Sequence, residues 1–204
     1  MTLPALVLTA GRGTRLDPLT RLVAKPAVPL GDRTLIEHVL AWVRAQGVTD
    51  VVLNLHHLPR TIAAIVGDGT HLGVGARYSW EQPLLASDRF LIVNGDTLCT
   101  FDVAPMVRAH IESGADVTMA VVPNPDPSHY NGLTIDADRV VTGFVPRGQA
   151  DGGWHFIGIQ VVEAADERDD LGPRAEPCGA SGAVAGFQAA EVDVCTRGAQ
   201  IHPT

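Results

Sequence analysis

The stretch Ala5-Leu6-Val7-Leu8-Thr9-Ala10-Gly11-Arg12-Gly13-Thr14-Arg15 decides the fold of this chain. Its first four residues form a short, continuous apolar run, which predicts a strand buried on both faces of a sheet. Gly11 and Gly13 follow almost at once, and glycines permit a tight turn whose backbone N–H groups can bind phosphate oxygens. Arg15 adds a cationic fork suited to phosphate. The stretch therefore predicts a buried strand that leads into an anion-binding loop.

The same alternation of apolar runs and helical patterns continues along the chain. Predicted strands cover 51–55, 76–80, 90–93, 117–122, 132–135, 139–144 and 156–162. Predicted helices follow Thr34, with Gly47 closing the first, and cover 59–66 and 103–114. Strands that alternate with helices predict an α/β fold with a Rossmann-like, mostly parallel sheet flanked by helices.

The regular pattern weakens near residue 162. We predict one domain over residues 1–162 and interpret residues 163–204, which are rich in Ala, Gly, Asp and Pro, as an atypical tail or the remnant of the C-terminal part of the same domain. Short apolar patches remain only near Ala183-Val184 and from Val192 to Val194.

Composition and charge narrow the classes of partner. The 204 residues are 46% hydrophobic and 19% charged, which is typical of a globular protein. A net charge of −8 argues against binding a nucleic acid polymer. Residues 1–60, however, hold seven basic and four acidic side chains, a net charge of +3. A small polyanion is therefore the partner that this segment favours.

The cysteines and the apolar runs indicate in which cellular compartment we expect the protein. Cys99, Cys178 and Cys195 have neither the spacing of a zinc site nor that of a redox Cys-x-x-Cys pair, which favours a reducing compartment. The first residues lack the basic segment of a signal peptide, and no apolar run approaches the roughly 20 residues that span a bilayer. We expect a cytoplasmic protein without a membrane partner.

Lys25 is the only lysine, whereas the other 14 basic residues are arginines. An ammonium is a compact, flexible point charge, and a guanidinium is a planar fork. Either the chemistry at this position needs the ammonium, or the single lysine is a chance result of a biased composition.

The longer sequence pattern around Lys25 favours the first explanation, in which the chemistry at this position needs the ammonium. Leu8-Thr9-Ala10-Gly11-Arg12-Gly13-Thr14-Arg15-Leu16, Pro18-Leu19-Thr20 and Lys25-Pro26-Ala27-Val28-Pro29-Leu30 together resemble the signature of sugar-1-phosphate nucleotidyltransferases. In that family the signature runs L-x-A-G-x-G-T-R-L-x-P-L-T and then K-P-x-x-P-x, and nearly every position matches. The resemblance continues through Tyr78-Ser79-Trp80-Glu81-Gln82-Pro83-Leu84 and Val93-Asn94-Gly95-Asp96.

The resemblance implies a fold of the glycosyltransferase-A-like nucleotidyltransferase type and a Mg²⁺-dependent reaction. A nucleoside monophosphate would pass from an NTP to a sugar 1-phosphate, as in guanylyl- and uridylyltransferases of the short form. The implied catalytic residues are Arg15, Lys25 and Asp96. The implied nucleotide-binding residues are Ala10, Gly11, Gly13, Thr14, Arg15 and Gln82. Lys25 and Asn94 would bind the sugar phosphate, and Asp96 with Asp193 would bind Mg²⁺.

The chain departs from the family pattern at three places. The family's small-residue run, such as G-T-A-G-G, is absent where Leu85 is followed by Ala86. Val145-Pro146-Arg147 stands where many relatives have Glu-Lys-Pro, and Cys195 replaces the glycine that follows the metal aspartate, here Asp193. These departures leave an alternative open, in which the chain is a nucleotide- or sugar-phosphate-binding regulatory domain without turnover.

Other conspicuous residues have a structural interpretation. His56-His57 follows a strand and is interpreted as a pair of loop residues. Trp80 and Trp154 are interpreted as packing residues.

Overall fold

The computed structural model describes residues 3–80, 87–149, 153–164, 183–188 and 191–192. The chain divides into two compact units, Met1–Asp102 and Val103–Thr204. Among the helices in the described ranges, none is long and apolar enough to cross a membrane.

The first unit is built on a parallel sheet. Its strands are β1 (Ala5–Leu8), β4 (Asp50–Asn54), β5 (Gly75–Ser79) and β6 (Arg89–Asn94), and a two-stranded hairpin is formed by β2 (Pro29–Leu30) and β3 (Arg33–Thr34). The parallel strands lie in the order β6–β1–β4–β5, and every adjacent pair is parallel. The carboxyl ends of all four strands therefore lie at one edge of the sheet.

Two helices connect these strands. Helix α1 (Leu35–Ala45) buries Ile36, Val39, Leu40 and Val43, which recur at helical spacing. Helix α2 (Pro59–Val66) begins with proline, whose fixed φ suits the first helical position. The central strands β1 and β4 are apolar where they cross the core, because Ala5, Val7 and the run Val51–Leu53 are almost fully buried.

The described part of the second unit combines one helix with six strands: α3 (Ala104–Ser113), β7 (Val117–Pro123), β8 (Gly132–Ile135), β9 (Val141–Val145), β10 (Trp154–Glu163), β11 (Ala183–Gln188) and β12 (Glu191–Val192). Strand β7 pairs antiparallel with β10 and parallel with β11. Strands β8 and β9 form an antiparallel hairpin, and β8 also pairs with β10.

A buried histidine joins α3 to the strands of the second unit. His110 is fully buried; its Nδ1 lies 2.7 Å from the Thr118 hydroxyl and its Nε2 3.2 Å from Glu163 Oε1. Both ring nitrogens therefore have polar partners, as a buried imidazole requires. The sequence pattern gave no indication of this arrangement.

Most of the predicted elements are confirmed, and so is the mixed, mostly parallel α/β class. Boundaries shift by at most two residues, as is usual at element ends. Within residues 163–204, interpreted above as an atypical tail or the remnant of the same domain, Ala183–Gln188 forms a strand that pairs with β7. Strand pairing supplies hydrogen bonds that a weak apolar pattern does not reveal.

We predict that the Glu37 carboxylate stabilises the fold in a pH-dependent way. Glu37 Oε2 accepts hydrogen bonds from the Thr34 backbone N–H and hydroxyl, both at 2.7 Å. These bonds lower the pKa of Glu37 from its usual 4.5, so the stabilisation is present above the unfolded-state pKa and is lost as pH falls through the lower, folded-state pKa. Glu37→Gln should lower the free energy of unfolding at pH 7 by about 0.5–1 kcal/mol.

Urea unfolding of both proteins measures this difference, which should shrink at acidic pH below 4.5. Glu112→Gln, at an exposed position of α3, controls for the loss of one negative charge. A difference for Glu37→Gln that stayed constant across this pH range would contradict the prediction.

Candidate functional site

The candidate site lies at the carboxyl edge of the parallel sheet in the first unit. Leu8, at the end of β1, is in register with Asn54 of β4 on one side and Asn94 of β6 on the other. The glycine-arginine loop after β1 and the acidic turn after β6 therefore leave the sheet from adjacent strands at the same level. Ligand sites of open α/β sheets are found at such edges.

The loop of residues 11–15 is mostly exposed, and Gly13 fixes its turn. Gly13 has a φ of 61°, the left-handed conformation that favours glycine, and precedes a short 3₁₀ turn over Thr14–Leu16. A Cβ atom at Gly13 would lie 3.0 Å from both Lys25 Cβ and Thr20 Cγ2. The backbone of the loop thus packs directly against the stem of Lys25, where no other side chain fits easily.

Lys25 forms an ion pair with Asp96. The lysine begins a short 3₁₀ turn over Lys25–Ala27, and its Nζ donates to Asp96 Oδ2. Each side chain is 30% exposed, so the pair is partly desolvated but open to a ligand. The structure thus brings together the three predicted features of glycine loop, lysine and aspartate.

Gly95 allows the acidic turn to approach β1. Its N–H donates to the Leu8 carbonyl at 2.9 Å. A Cβ atom at this position would lie 2.8 Å from the Leu8 carbonyl oxygen and 3.0 Å from Thr9 Cγ2. Only glycine lets Asn94 and Asp96 come this close to the start of the loop.

Thr9 and Asn54 fix the point where the chain leaves β1. Thr9 is almost fully buried, and its N–H donates to Asn54 Oδ1 at 2.7 Å. Its hydroxyl donates to the Asn54 backbone carbonyl. This pairing gives the threonine a structural role at the base of the loop.

The arginines of the loop present their charge to solvent. Arg12 and Arg15 are exposed, and among the residues that the structure describes none forms a hydrogen bond or ion pair with either guanidinium. Arg21 differs, because its Nε donates to Asp17 at 2.7 Å. Two guanidiniums are thus available to an anion on the loop that packs against Lys25.

Among the residues that the structure describes, Cys99 does not supply a thiolate near neutral pH. Burial raises the pKa of Cys99 to about 11, so its thiol is protonated near neutral pH. Within the described ranges, no group of three or more His, Cys, Asp or Glu residues is arranged to hold a metal ion.

The structure places most of the predicted site residues at this edge. Ala10 and Asn94 are partly buried beside the glycine loop and the acidic turn, and Thr14 is exposed. Gln82, predicted to contact the base, and Asp193, predicted as the second metal ligand, lie outside the described residues. The interpretation of Trp80 as a packing residue is wrong, since 64% of its surface is exposed directly after β5.

Sequence reasoning missed the residues that support the loop from behind. His57 Nε2 lies 2.8 Å from the Thr20 carbonyl, and Thr61 Oγ1 accepts from the Ala24 N–H at 3.2 Å. Asn54 holds Thr9 in the same way. The only available signal was a group of polar residues just after a buried strand.

The amino-acid sequence is similar to that of curated sugar-nucleotide enzymes. Mannose-1-phosphate guanylyltransferase of Mycobacterium tuberculosis is 30% identical over 178 residues, which cover 78% of this chain and 50% of that protein. D-glycero-alpha-D-manno-heptose 1-phosphate guanylyltransferase of Aneurinibacillus thermoaerophilus is 26% identical over 176 residues, covering 78% of this chain and 76% of that protein. The chain spans about half the length of the Mycobacterium tuberculosis protein and of other curated relatives that it matches.

The fold is similar to that of a solved structure, HddC from Yersinia pseudotuberculosis complexed with GMP-PN. The TM-score is 0.68 at 21% identity, and the match covers 85% of this chain and 87% of that one. The model of the nucleotidyl transferase family matches residues 4–150, which include the glycine loop, Lys25 and Asp96. The chain therefore belongs to the nucleotidyl transferase family.

Proposed function

We propose that the protein transfers a nucleoside monophosphate from an NTP to a sugar 1-phosphate, which yields a nucleotide-sugar and pyrophosphate. The observation that carries this proposal is the Lys25–Asp96 ion pair beside the glycine loop. It combines an anion-binding backbone, a mobile ammonium and a hard carboxylate at one edge of the sheet. Relatives named as mannose-, glucose- and heptose-1-phosphate nucleotidyltransferases support the same reaction class.

The reaction needs positioning and charge neutralisation more than covalent help from the protein. An oxygen of the sugar phosphate forms a bond to the α-phosphorus of the NTP. The bond from that phosphorus to the oxygen bridging to the β-phosphate breaks, and pyrophosphate leaves with the electron pair. The attacking phosphate is already ionised near neutral pH, so no general base is required.

Arg15 and Lys25 would neutralise different phosphates because they lie at different positions in the site. Arg15, on the exposed loop, would neutralise charge on the β- and γ-phosphates as pyrophosphate departs. Lys25, partly buried against Gly13, would contact the α-phosphate or the sugar phosphate at the reacting centre. A flexible ammonium can follow an oxygen whose charge changes during the reaction, whereas a planar guanidinium is more restricted. This difference would explain why an arginine-rich chain retains one lysine.

The donor chemistry at the edge fits Mg²⁺. Mg²⁺ is bound in such sites by one or two carboxylates together with substrate phosphates, and Asp96 supplies a carboxylate that is 30% exposed. When bound, the ion would offset the charge of the phosphates. Asp96 would hold it, and Asp193 remains a prediction as a second ligand. Lys25 would then exchange its carboxylate partner for a phosphate.

The proposal also extends to the identity of the NTP and of the sugar. Guanylyl and uridylyl transfer are the two types that we favour, with Gln82 as the predicted contact to the base. Because the chain lacks the family's small-residue run after Leu85, nucleotide or sugar-phosphate binding without turnover is the second candidate. With an NTP as substrate, we place the reaction in the cytoplasm.

Pyrophosphate release tests the proposal. The purified protein would be incubated with Mg²⁺, each of GTP, UTP, dTTP and ATP, and a panel of mannose, glucose, heptose and muramate phosphates. Release that requires one NTP and one sugar phosphate is the expected result. Nucleotide binding without release for any combination would reject the enzyme in favour of the binding domain.

For an active preparation we predict that Lys25→Ala lowers kcat/KM about 100- to 1000-fold, the usual cost of removing one charge-stabilising donor. Lys25→Arg should restore only part of this loss, since charge returns without the compact geometry. Arg44→Ala, at the end of α1 and hence near the opposite edge of the sheet, removes an exposed cation and should leave kcat/KM nearly unchanged. Equal kcat/KM for Lys25→Ala and the unaltered protein would refute the assignment of Lys25.

Asp96→Asn should separate nucleotide binding from turnover. The substitution removes the metal-binding charge and releases Lys25 from its ion pair. Turnover with Mg²⁺ should fall about 100-fold or more, while calorimetric affinity for the NTP in EDTA should be unchanged or higher because the ammonium is free. Asp50→Asn, in an exposed pair with Arg77, is the matched control. Weaker NTP binding in EDTA would mean that Asp96 does not restrain Lys25.

A further inference from the structure

The segment from Asn54 to Thr61 contacts residues 9–24, which contain the glycine-arginine loop, at three points. Asn54 holds the Thr9 N–H, His57 lies against the Thr20 carbonyl, and Thr61 holds the Ala24 N–H. These contacts join residues 37 to 45 positions apart in sequence. The segment connects β4 to α2, so a regular element flanks it on each side.

His57 occupies the middle of the three contacts. A backbone carbonyl can only accept a hydrogen bond, so the 2.8 Å contact requires that His57 Nε2 carries the proton and donates to the Thr20 oxygen. His57 is partly buried, whereas the adjacent His56 is exposed. The two histidines of this pair therefore differ in environment.

The contact continues from Thr20 to the site. The Thr20 hydroxyl donates to the Gly13 carbonyl at 3.1 Å, and the same carbonyl accepts the Leu16 N–H at 2.9 Å. Gly13 in turn packs against the stem of Lys25. One hydrogen-bonded path thus runs from the His57 ring to the turn that presents Arg15 and that contacts Lys25.

We propose that His57 is a positioning residue for nucleotidyl transfer: through Thr20 it holds the Gly13 turn in the conformation that aligns Lys25 and Arg15 with the phosphates. It contacts neither substrate nor the reacting atoms. The inference rests on the proposed function. It assigns a role to a histidine whose sequence context suggested only a loop.

The role is testable because the loss of this hydrogen bond should affect stability and reaction rate to different extents. A half-buried hydrogen bond contributes only modestly to stability, so its removal should leave the protein folded. A displacement of about 1 Å at a reacting centre, by contrast, can cost about 100-fold in rate. A positioning residue should therefore affect turnover far more than it affects Tm.

The variants are His57→Ala, His57→Gln and His57→Asn, with His56→Ala as the matched control. The side-chain amide nitrogen of glutamine can occupy the position of histidine Nε2. The shorter asparagine places its amide nitrogen at the position of Nδ1. We expect His57→Ala to lower kcat about 10- to 100-fold with little change in Tm. His57→Gln should recover most of the loss, His57→Asn should not, and His56→Ala should match the unaltered protein. Unchanged kcat in His57→Ala, or equal recovery by Gln and Asn, would overturn the proposal.

A second measurement does not depend on turnover. Hydrogen exchange of the Leu16 amide reports on the Gly13 turn, because that amide donates to the Gly13 carbonyl. Exchange should be faster in His57→Ala, return in His57→Gln, and stay unchanged in α1 for every variant. Unaltered exchange at Leu16 in His57→Ala would overturn the positioning role even if the protein releases no pyrophosphate, whereas faster exchange in an inactive protein would count against the proposed function alone.

Discussion

The in-register parallel pairing of β1 with β4 and β6 is the constraint on which the candidate site depends. Because Leu8 is opposite both Asn54 and Asn94, three chain segments leave the sheet at one level. A shift of one residue in either pairing would turn alternate side chains to the other face. Thr9 would then lose Asn54, and Gly95 would no longer fit against the Leu8 carbonyl. The ion pair between Lys25 and Asp96 is thus a consequence of strand register.

Much of this arrangement could be predicted from the sequence, for identifiable reasons. Strands buried on both faces need apolar residues at successive positions, so Val51–Leu53 stands out as a run. Helix α1 packs one face, which gives its apolar residues a helical period. Lys25 and Asp96 could be assigned from the family signature, since they are 71 residues apart and no local period relates them.

The supporting contacts could not be predicted, because polar side chains after a strand carry no periodic signal. Asn54, His57 and Thr61 look like ordinary connecting residues until the fold places backbone groups of residues 9–24 beside them. Strand β11 was missed for a related reason: its pairing with β7 supplies the hydrogen bonds that its short, weakly apolar sequence does not announce. The exposure of Trp80 likewise depends on where β5 ends, which hydrophobicity does not report.

The Lys25–Asp96 ion pair also affects which anions the edge can retain. A small anion that draws the ammonium away leaves a half-buried carboxylate without its counter-charge, and this loss offsets the gain from the new contact. An anion that brings its own cation pays no such penalty, because the cation replaces the ammonium beside the carboxylate. Free orthophosphate would therefore have to separate the existing ion pair before it could bind the ammonium. Under the function proposed above, the pair would thus favour phosphates that arrive as metal complexes.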